Sequence, residues 1–318
     1  MSKVSVLMPM RNAERYVREA VESVLAQEGC DLELVVVDDK STDRSRAIVE
    51  DISDPRVRRL DGPGRGVSAA WNLALANASG DVIMQCDSDD LYPPGRVAWQ
   101  LDFLVRHEEF GAVCGSFSTI EPSGRELAHL FNPSWGEEEI TKELLKGVTR
   151  THLCTYAIRR RCLDMVGGKR EYFESAEDID LQFRLAEVCR VWFGVRPSYH
   201  YRLHDLSVTH NQASDRRKFY EAYARELSTQ RALGKADDLA RGQPREPPVS
   251  DSRPDRAAVQ IQGHLIGEAW RLHKRGLKFM AIRLGLRAIA QTPTRLRTWW
   301  SVLALVLKPS GRRERVKS

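Results

Sequence analysis

At 318 residues the chain can bury a substantial core in one large or two ordinary domains, and no apolar run reaches the roughly 18 residues of a membrane-spanning helix. The formal charge of +5 is unevenly spread: residues 251–318 hold fifteen Lys or Arg against four Asp or Glu, a net +11 that leaves −6 for the rest. Cys30, Cys86, Cys114, Cys154, Cys162 and Cys189 stand far apart with no Cys-x-x-Cys pair, which excludes a secreted disulfide framework and predicts reduced thiols in a cytoplasmic protein.

The first strand, residues 4–8, begins almost at Met1, so no export signal is expected. Residues 13–27 carry Tyr16, Val17, Ala20, Val21, Val24 and Leu25 at helical spacing. The strand 32–37 ends at Asp38-Asp39, and Ser41-Thr42-Asp43 supplies capping residues for a helix through Ile48. A strand at 57–60, a helix at 67–77 and a strand at 81–86 complete a run of β-α units. Such alternation predicts a mostly parallel central sheet flanked by helices on both faces, Rossmann-like, with ligands beyond the carboxyl ends of the strands.

From about Gly111 the pattern is mixed: short strands near 112–117 and 157–159, helices near 141–147 and over 176–188, and a strand at 191–195. Charge and proline cluster in 235–256, where Pro244, Pro247, Pro248 and Pro254 read as a linker. The expected division is a catalytic α/β domain over 1–213, then a linker and basic helical region over 214–318. Helices are expected at 259–274, 277–290 and 294–307, broken by Gly276 and Pro293, with the faint spacing of one tetratricopeptide-type hairpin.

Asp87-Ser88-Asp89-Asp90 follows the apolar Val82-Ile83-Met84. Carboxylates gathered at a strand end repel each other and resist dehydration, so a divalent cation among them is the natural complement. Oxygen-only ligands suit Mn2+ or Mg2+, which complete their shells with substrate phosphates. Surface turns are also rich in Asp, so the cluster alone does not decide. If the strands ending at Asp38-Asp39 and at Asp87 are neighbours, both clusters face one crevice.

Val4-Ser5-Val6-Leu7-Met8-Pro9-Met10-Arg11-Asn12, Glu33-Leu34-Val35-Val36-Val37-Asp38-Asp39-Lys40-Ser41, Gly66-Val67-Ser68-Ala69-Ala70-Trp71-Asn72, Asp87-Ser88-Asp89-Asp90, Glu177-Asp178 and Tyr201-Arg202-Leu203-His204 occur in that order. Together they resemble the inverting, non-processive family-2 glycosyltransferases over about the first 210 residues. The resemblance implies a GT-A fold with a C-terminal helical extension, and transfer of a sugar of hexosyl type from a nucleotide-diphosphate sugar, a UDP-sugar above all, to an acceptor hydroxyl. It places Pro9, Asp38, Asp39 and Asp87 on the donor, Asp87 and Asp89 in the Asp-x-Asp motif, Asp89 on the Mn2+ or Mg2+ ion, and Asp178 as the base. His204 lies beside the diphosphate or completes the metal shell, and Arg202 answers phosphate charge.

Physical chemistry offers a second reading of each. Asp39 can cap a helix, Arg65 in Gly62-Pro63-Gly64-Arg65-Gly66 can mark a plain glycine turn or touch the nucleotide, and Asp178 suits the first turn of a helix through the dipole. Asp180 falls roughly 200° round the helix from Asp178, so only one of the two serves the same site. His200 and His210 have no motif support. The Gln-x-x-Arg-Trp that processive members of the resembled family carry is absent, so addition of one or a few sugars is expected.

The acceptor is expected to be a saccharide or lipid-linked, in surface polysaccharide or glycoconjugate synthesis. Trp299-Trp300 with Arg295, Arg297, Lys308, Arg312, Arg313 and Arg315 fits contact with an anionic membrane surface through 295–315, hence a peripheral position on the inner face of the cytoplasmic membrane. A helix packed on the catalytic domain or on a partner is the rival reading. No recognition module supports nucleic-acid binding. The rival functions are a sugar nucleotidylyltransferase and a sugar-nucleotide-binding scaffold without catalysis.

Overall fold

The computed structural model describes residues 3–130, 135–204, 214–249 and 257–310. The elements in chain order are β1 (Val4–Met10), α1 (Val17–Leu25), β2 (Leu32–Asp38), α2 (Ser45–Glu50), β3 (Val57–Asp61), α3 (Val67–Asn77), β4 (Val82–Gln85), α4 (Arg96–Arg106) and β5 (Phe110–Ile120). There follow β6 (Glu126–Leu130), β7 (Glu138–Glu139), α5 (Thr141–Leu144), β8 (Ala157–Arg159), α6 (Arg160–Val166), α7 (Glu177–Val188), β9 (Arg190–Arg202), α8 (Ser214–Ala232), α9 (Ala257–Lys274), α10 (Lys278–Gln291) and α11 (Leu296–Leu307).

The strand order is β3-β2-β1-β4-β8-β5-β9-β7, with β6 on β5. β1 pairs in parallel with β2 and β4, and β2 with β3, in the register Val4↔Leu32, Val4↔Val82 and Leu34↔Val57. The expected parallel sheet is thus present, but β8 runs antiparallel to both β4 and β5. Alternation along the parallel strands builds two cores. Leu7, Val35, Val37 and Ile83 face one way, against Ala70, Trp71 and Ala74 of α3. Val6, Met8, Leu34, Val36 and Met84 face the other, against Val17, Ala20, Val21 and Val24 of α1 and Val97 and Leu104 of α4.

Two compact units result, one drawn from residues 1–117, 130–201 and 215–251, the other from 118–129, 202–214 and 252–318. The boundary read from sequence at 213/214 falls at the start of α8. Tyr220, Tyr223, Ala224 and Leu227 of that helix belong to the same core as α3 and α7. In the second unit the hairpin of β6 on the end of β5 is fixed by Ser118 Oγ donating to Glu126 Oε1 at 2.7 Å. Arg287 of α10 pairs with Glu121 at the turn of that hairpin. Residues 250–256 of the expected linker, His210, and Arg312, Arg313 and Arg315 lie outside the described residues.

At the amino edge of the sheet Glu33 is buried, and its Oε1 accepts from Ser5 Oγ (2.6 Å), Ser79 N (2.6 Å) and Ser79 Oγ (2.8 Å). Burial alone would raise this carboxyl, but the hydrogen bonds from Ser5 and Ser79, helped by the Lys3 charge, hold it at about 2. A lowered folded-state value adds stability that is present above the ordinary glutamate range and is lost as the pH falls through it towards about 2. Glu33→Gln should therefore unfold at lower urea than wild type near neutrality, with the difference closing as the medium is acidified. A urea midpoint difference that does not change with pH would refute this.

Candidate active site

β1 lies between β2 and β4, so the carboxyl ends of the latter two flank it at about 10 Å from each other, two strand spacings. Pro9, buried in β1, pairs with Val37, and Met10 with Asp38. The strands that end at Asp38 and before Asp87 are therefore not neighbours, as the sequence reading of a shared crevice required: β1 stands between them.

The β1–α1 and β2–α2 loops are laced together. Asn12, held at φ 52°, accepts from Thr42 N at 2.8 Å, while Ala13 N donates to Ser45 Oγ at 2.7 Å and Glu14 N to Asp43 Oδ2 at 3.0 Å. Ser41 and Thr42 thus serve the loop contact, and the helix begins only at Ser45, with Asp43 Oδ1 accepting from Ser45 N at 2.9 Å. Asp38 Oδ1 accepts from Ser41 N at 3.1 Å.

Asp39 is buried, and its two oxygens accept from Gly64 N (2.6 Å) and Gly66 N (2.8 Å). Its carboxylate therefore shapes the glycine loop that opens α3. The loop passes so close that a Cβ at Gly62 would sit 2.8 Å from Asp39 Cα, and Gly66 turns into the helix at φ 94°. Arg65 projects outward and pairs with Glu171 at 3.3 Å.

In the acidic loop, Asp87 is half-buried. Its N–H donates to Tyr199 Oη at 2.9 Å, Oδ1 accepts from Gln85 Nε2 at 2.6 Å, and Oδ2 lies 3.3 Å from the Cys154 thiol. Burial and then the Asp89 charge raise the Asp87 carboxyl, while Lys169 opposes them. Burial and then the Asp87, Asp90 and Asp178 charges push the Cys154 thiol well up, against Lys169, which keeps it a donor. The loop rests on Arg96, fully buried, whose guanidinium lies 3.9 Å over the Tyr92 ring and hydrogen-bonds the Cys154 carbonyl and Gln100 Oε1.

Lys169 joins this loop to α7. Its ammonium is fully buried, 3.3 Å from Glu177 Oε1 and 5.4 Å from the Trp71 ring centre. Its backbone is clamped by Asn72, whose Nδ2 donates to Lys169 O at 2.8 Å and whose Oδ1 accepts from Lys169 N at 2.9 Å. Burial lowers its proton affinity, but Glu177, Asp87 and Asp178 together raise it above the ordinary value.

Asp178, in the first turn of α7, has His152 Nδ1 at 4.0 Å from Oδ2. Burial and then the Glu177 charge raise its carboxyl, against His152 and Lys169. His152 stacks on Tyr201 (centroids 5.9 Å, 24°) and meets Phe117 edge-on at 4.7 Å. Asp180 is turned away into the core on Arg184 at 2.8 Å. Arg202 and His204, both buried, belong to the second unit, where Arg202 Nη1 donates to Pro122 O at 2.8 Å and so fixes the turn at 121–125.

Among the described residues no three His, Cys, Asp or Glu side chains converge as a ready metal cluster. The carboxylates fit a hard cation nonetheless. Asp89 raises the proton affinity of Asp87, so a hard cation held there would relieve that repulsion.

The sequence profile described as Glycosyl transferase family 2 matches residues 5–176, more than half of the chain. The chain belongs to glycosyltransferase family 2. Its fold is GT-A. The chondroitin synthase of Pasteurella multocida (strain Pm70) is 30% identical over 188 residues, which are 58% of this chain and 19% of that protein, so the chain spans about a fifth of that relative. An uncharacterized glycosyltransferase of Rickettsia typhi is 25% identical over 238 residues, 72% of this chain and 74% of that protein. The structure of S. aureus TarS 1-349 in complex with UDP-GlcNAc superposes with a TM-score of 0.59 at 16% identity, covering 95% of this chain and 90% of that one.

Sequence reasoning missed Lys169, His152, Cys154, Arg96 and Tyr199. None carried a sequence signal of its own: Lys169 follows Gly167-Gly168 but stands beside a second cation, Arg170. Two substitutions should move Asp178 in opposite directions. Glu177→Gln removes a charge that raises the carboxyl and should shift the acid limb of the pH–rate profile down. Lys169→Met removes one that lowers it, shifts that limb up, and leaves Glu177 without its cation, at a cost of about 3 kcal/mol in folding stability. Limbs that stay put, or move together, would remove Lys169 and Glu177 from control of Asp178.

Proposed function

We propose that this glycosyltransferase moves a sugar from a UDP-sugar to a hydroxyl of a saccharide or lipid-linked acceptor, with inversion and one or a few additions at a time, in cytoplasmic assembly of a surface polysaccharide or glycoconjugate. The observation that carries the reading is the placement of Lys169 among Asp87, Glu177 and Asp178, which joins the carboxylates at the sheet edge to the first turn of α7. The TarS structures in complex with UDP and UDP-GlcNAc favour a uridine nucleotide as donor.

On this reading Pro9 and Asp38 edge the nucleoside pocket. Asp39 shapes the loop 62–66, where Arg65 meets the nucleotide. Asp87 takes the ribose or the diphosphate side, and Arg202 fixes the segment that carries His204. Asp89 would be the residue of this unit to hold a Mn2+ or Mg2+ ion. When bound, that ion neutralises charge that grows on the leaving diphosphate. Inversion requires a base on the face opposite the leaving group, and Asp178, ionised, accepts the proton of the acceptor hydroxyl as its oxygen bonds to the anomeric carbon. Phe117, His152 and Tyr201 beside Asp178 offer an aromatic surface for the acceptor sugar.

Calorimetry with UDP and other nucleoside diphosphates, in Mn2+, Mg2+ or EDTA, tests the donor side. UDP should bind in a metal-dependent way and Asp89→Ala should weaken it. Asp178→Asn should keep that binding and lose transfer or donor hydrolysis by ~10²–10⁴-fold. Folded protein that binds no nucleotide, or full activity in Asp178→Asn, would overturn the respective assignments.

A further inference from the structure

The second unit buries one face of its helices and leaves another uncovered. Ala269 of α9, Ala281 of α10 and Leu305 of α11 form its small core. α11 turns Thr298, Val302 and Leu305 inward. α10 meets it with Ala281, Gly285 and Ala288, and a Cβ at Gly285 would sit 2.8 Å from Val302 Cγ2. Those inward contacts do not use the bulky residues of α11. Leu296, Trp300, Leu303 and Leu307 follow one another at intervals of four, three and four, a single stripe within about 60° of the helix circumference. They are 73%, 69%, 44% and 71% exposed. On α10, Phe279 and Leu286 are exposed one heptad apart, with Arg283 between them.

Charge identifies the occupant. From Ala269 to Arg313 the sequence contains eleven Lys or Arg and not one Asp or Glu. Arg287 is already paired with Glu121 and Arg271 with Glu268, but a second copy presenting the same α11 face would bring Arg295, Arg297 and Lys308 against their own counterparts. A surface of anionic headgroups over hydrocarbon meets both requirements: it neutralises the basic side chains and takes up the apolar stripe. Trp299 and Trp300 have the amphipathic rings that settle at such a boundary. α11 has twelve residues, about 18 Å of helix. That length suits lying in the interface plane, and no described helix is long and apolar enough to cross a membrane.

We infer that the outward stripe of α11, with the basic side chains that flank it, docks the protein on an anionic lipid surface. The inference rests on the second unit's own residues, so it stands or falls separately from the assignment of Asp89 and Asp178.

The test is co-sedimentation of the full chain with vesicles of phosphatidylcholine alone or mixed with phosphatidylglycerol. Binding is expected to the mixed vesicles. It should weaken tenfold or more (~10-fold) when salt rises from about 0.1 M to about 1 M and the screening length falls from ~10 to ~3 Å. Trp300→Ser with Leu303→Ser, and separately Arg295→Gln with Arg297→Gln, should each reduce binding by a similar factor (~10-fold) with the circular dichroism spectrum and Tm unchanged. All these side chains are exposed, so their replacement spares the core. No binding of monodisperse protein to mixed vesicles, or equal binding to neutral ones, would overturn the inference. So would self-association that the Trp300→Ser, Leu303→Ser variant abolishes, since the face would then be an interface between copies.

Discussion

The first unit is organised around one buried ammonium. Lys169 has no exposed side-chain surface, and a cation in that position is tenable only because Glu177, Asp87 and Asp178 surround it with negative charge. The dependence is mutual. Without Lys169, the acidic loop after β4 and the acidic turn that opens α7 would hold like charges at one place with nothing fixed between them. Asn72, on α3, completes the arrangement by clamping the Lys169 backbone on both its N–H and its carbonyl. Three segments far apart in sequence, the loop after β4, the middle of α3 and the start of α7, are thereby set by electrostatics and two amide hydrogen bonds.

Backbone strain is placed at the same edge of the molecule. The described non-glycine residues with positive φ are Asn12, Lys40 and Ala176, which follow β1, follow β2 and precede α7. A left-handed conformation costs an L-residue about 1–2 kcal/mol, so surrounding contacts must hold it. Around Asn12 those contacts are explicit: its side chain accepts from Thr42 and its N–H donates to Ser41 Oγ at 3.0 Å. At Ala176 the turn aims Glu177 at Lys169 and Asp178 at His152, while Asp180 goes to Arg184 and the core. Rigid loops around a carboxylate-rich edge are what a site needs if its groups are to be positioned before the substrate arrives.

Much of this was legible in the sequence, and what was missed has physical reasons. The parallel strands announce themselves because residues such as Leu34, Val35, Val36 and Val37 are buried on both faces, leaving an unbroken apolar run. β8 has three residues, too few for any period, so its antiparallel insertion beside β4 had no signature. α4 buries Arg96 and Gln100 on its inner face, and those polar residues break the apolar pattern that would have revealed it. α8 did carry the pattern, Tyr220, Tyr223, Ala224 and Leu227 at helical spacing, but within a stretch so charged that it resembled the linker beyond it. In the site, the acidic residues were readable because clustered carboxylates are costly without a purpose. His152 and Lys169 were not, because each gains meaning only from a neighbour brought in by folding.

The proposed base shows why a cluster serves better than an isolated carboxylate. A base acts best when its proton affinity lies near the working pH: too low and it accepts poorly, too high and it is already protonated. Burial and Glu177 raise Asp178, which makes it a stronger acceptor than an exposed aspartate. Lys169 and His152 oppose that rise and keep the ionised form accessible. The two influences differ in character. Lys169 is sealed in, whereas His152 has about half of its side chain in solvent at 52% exposure. Asp178 is thus held between a sealed ammonium on its buried side and, 4.0 Å away, an imidazole open to solvent.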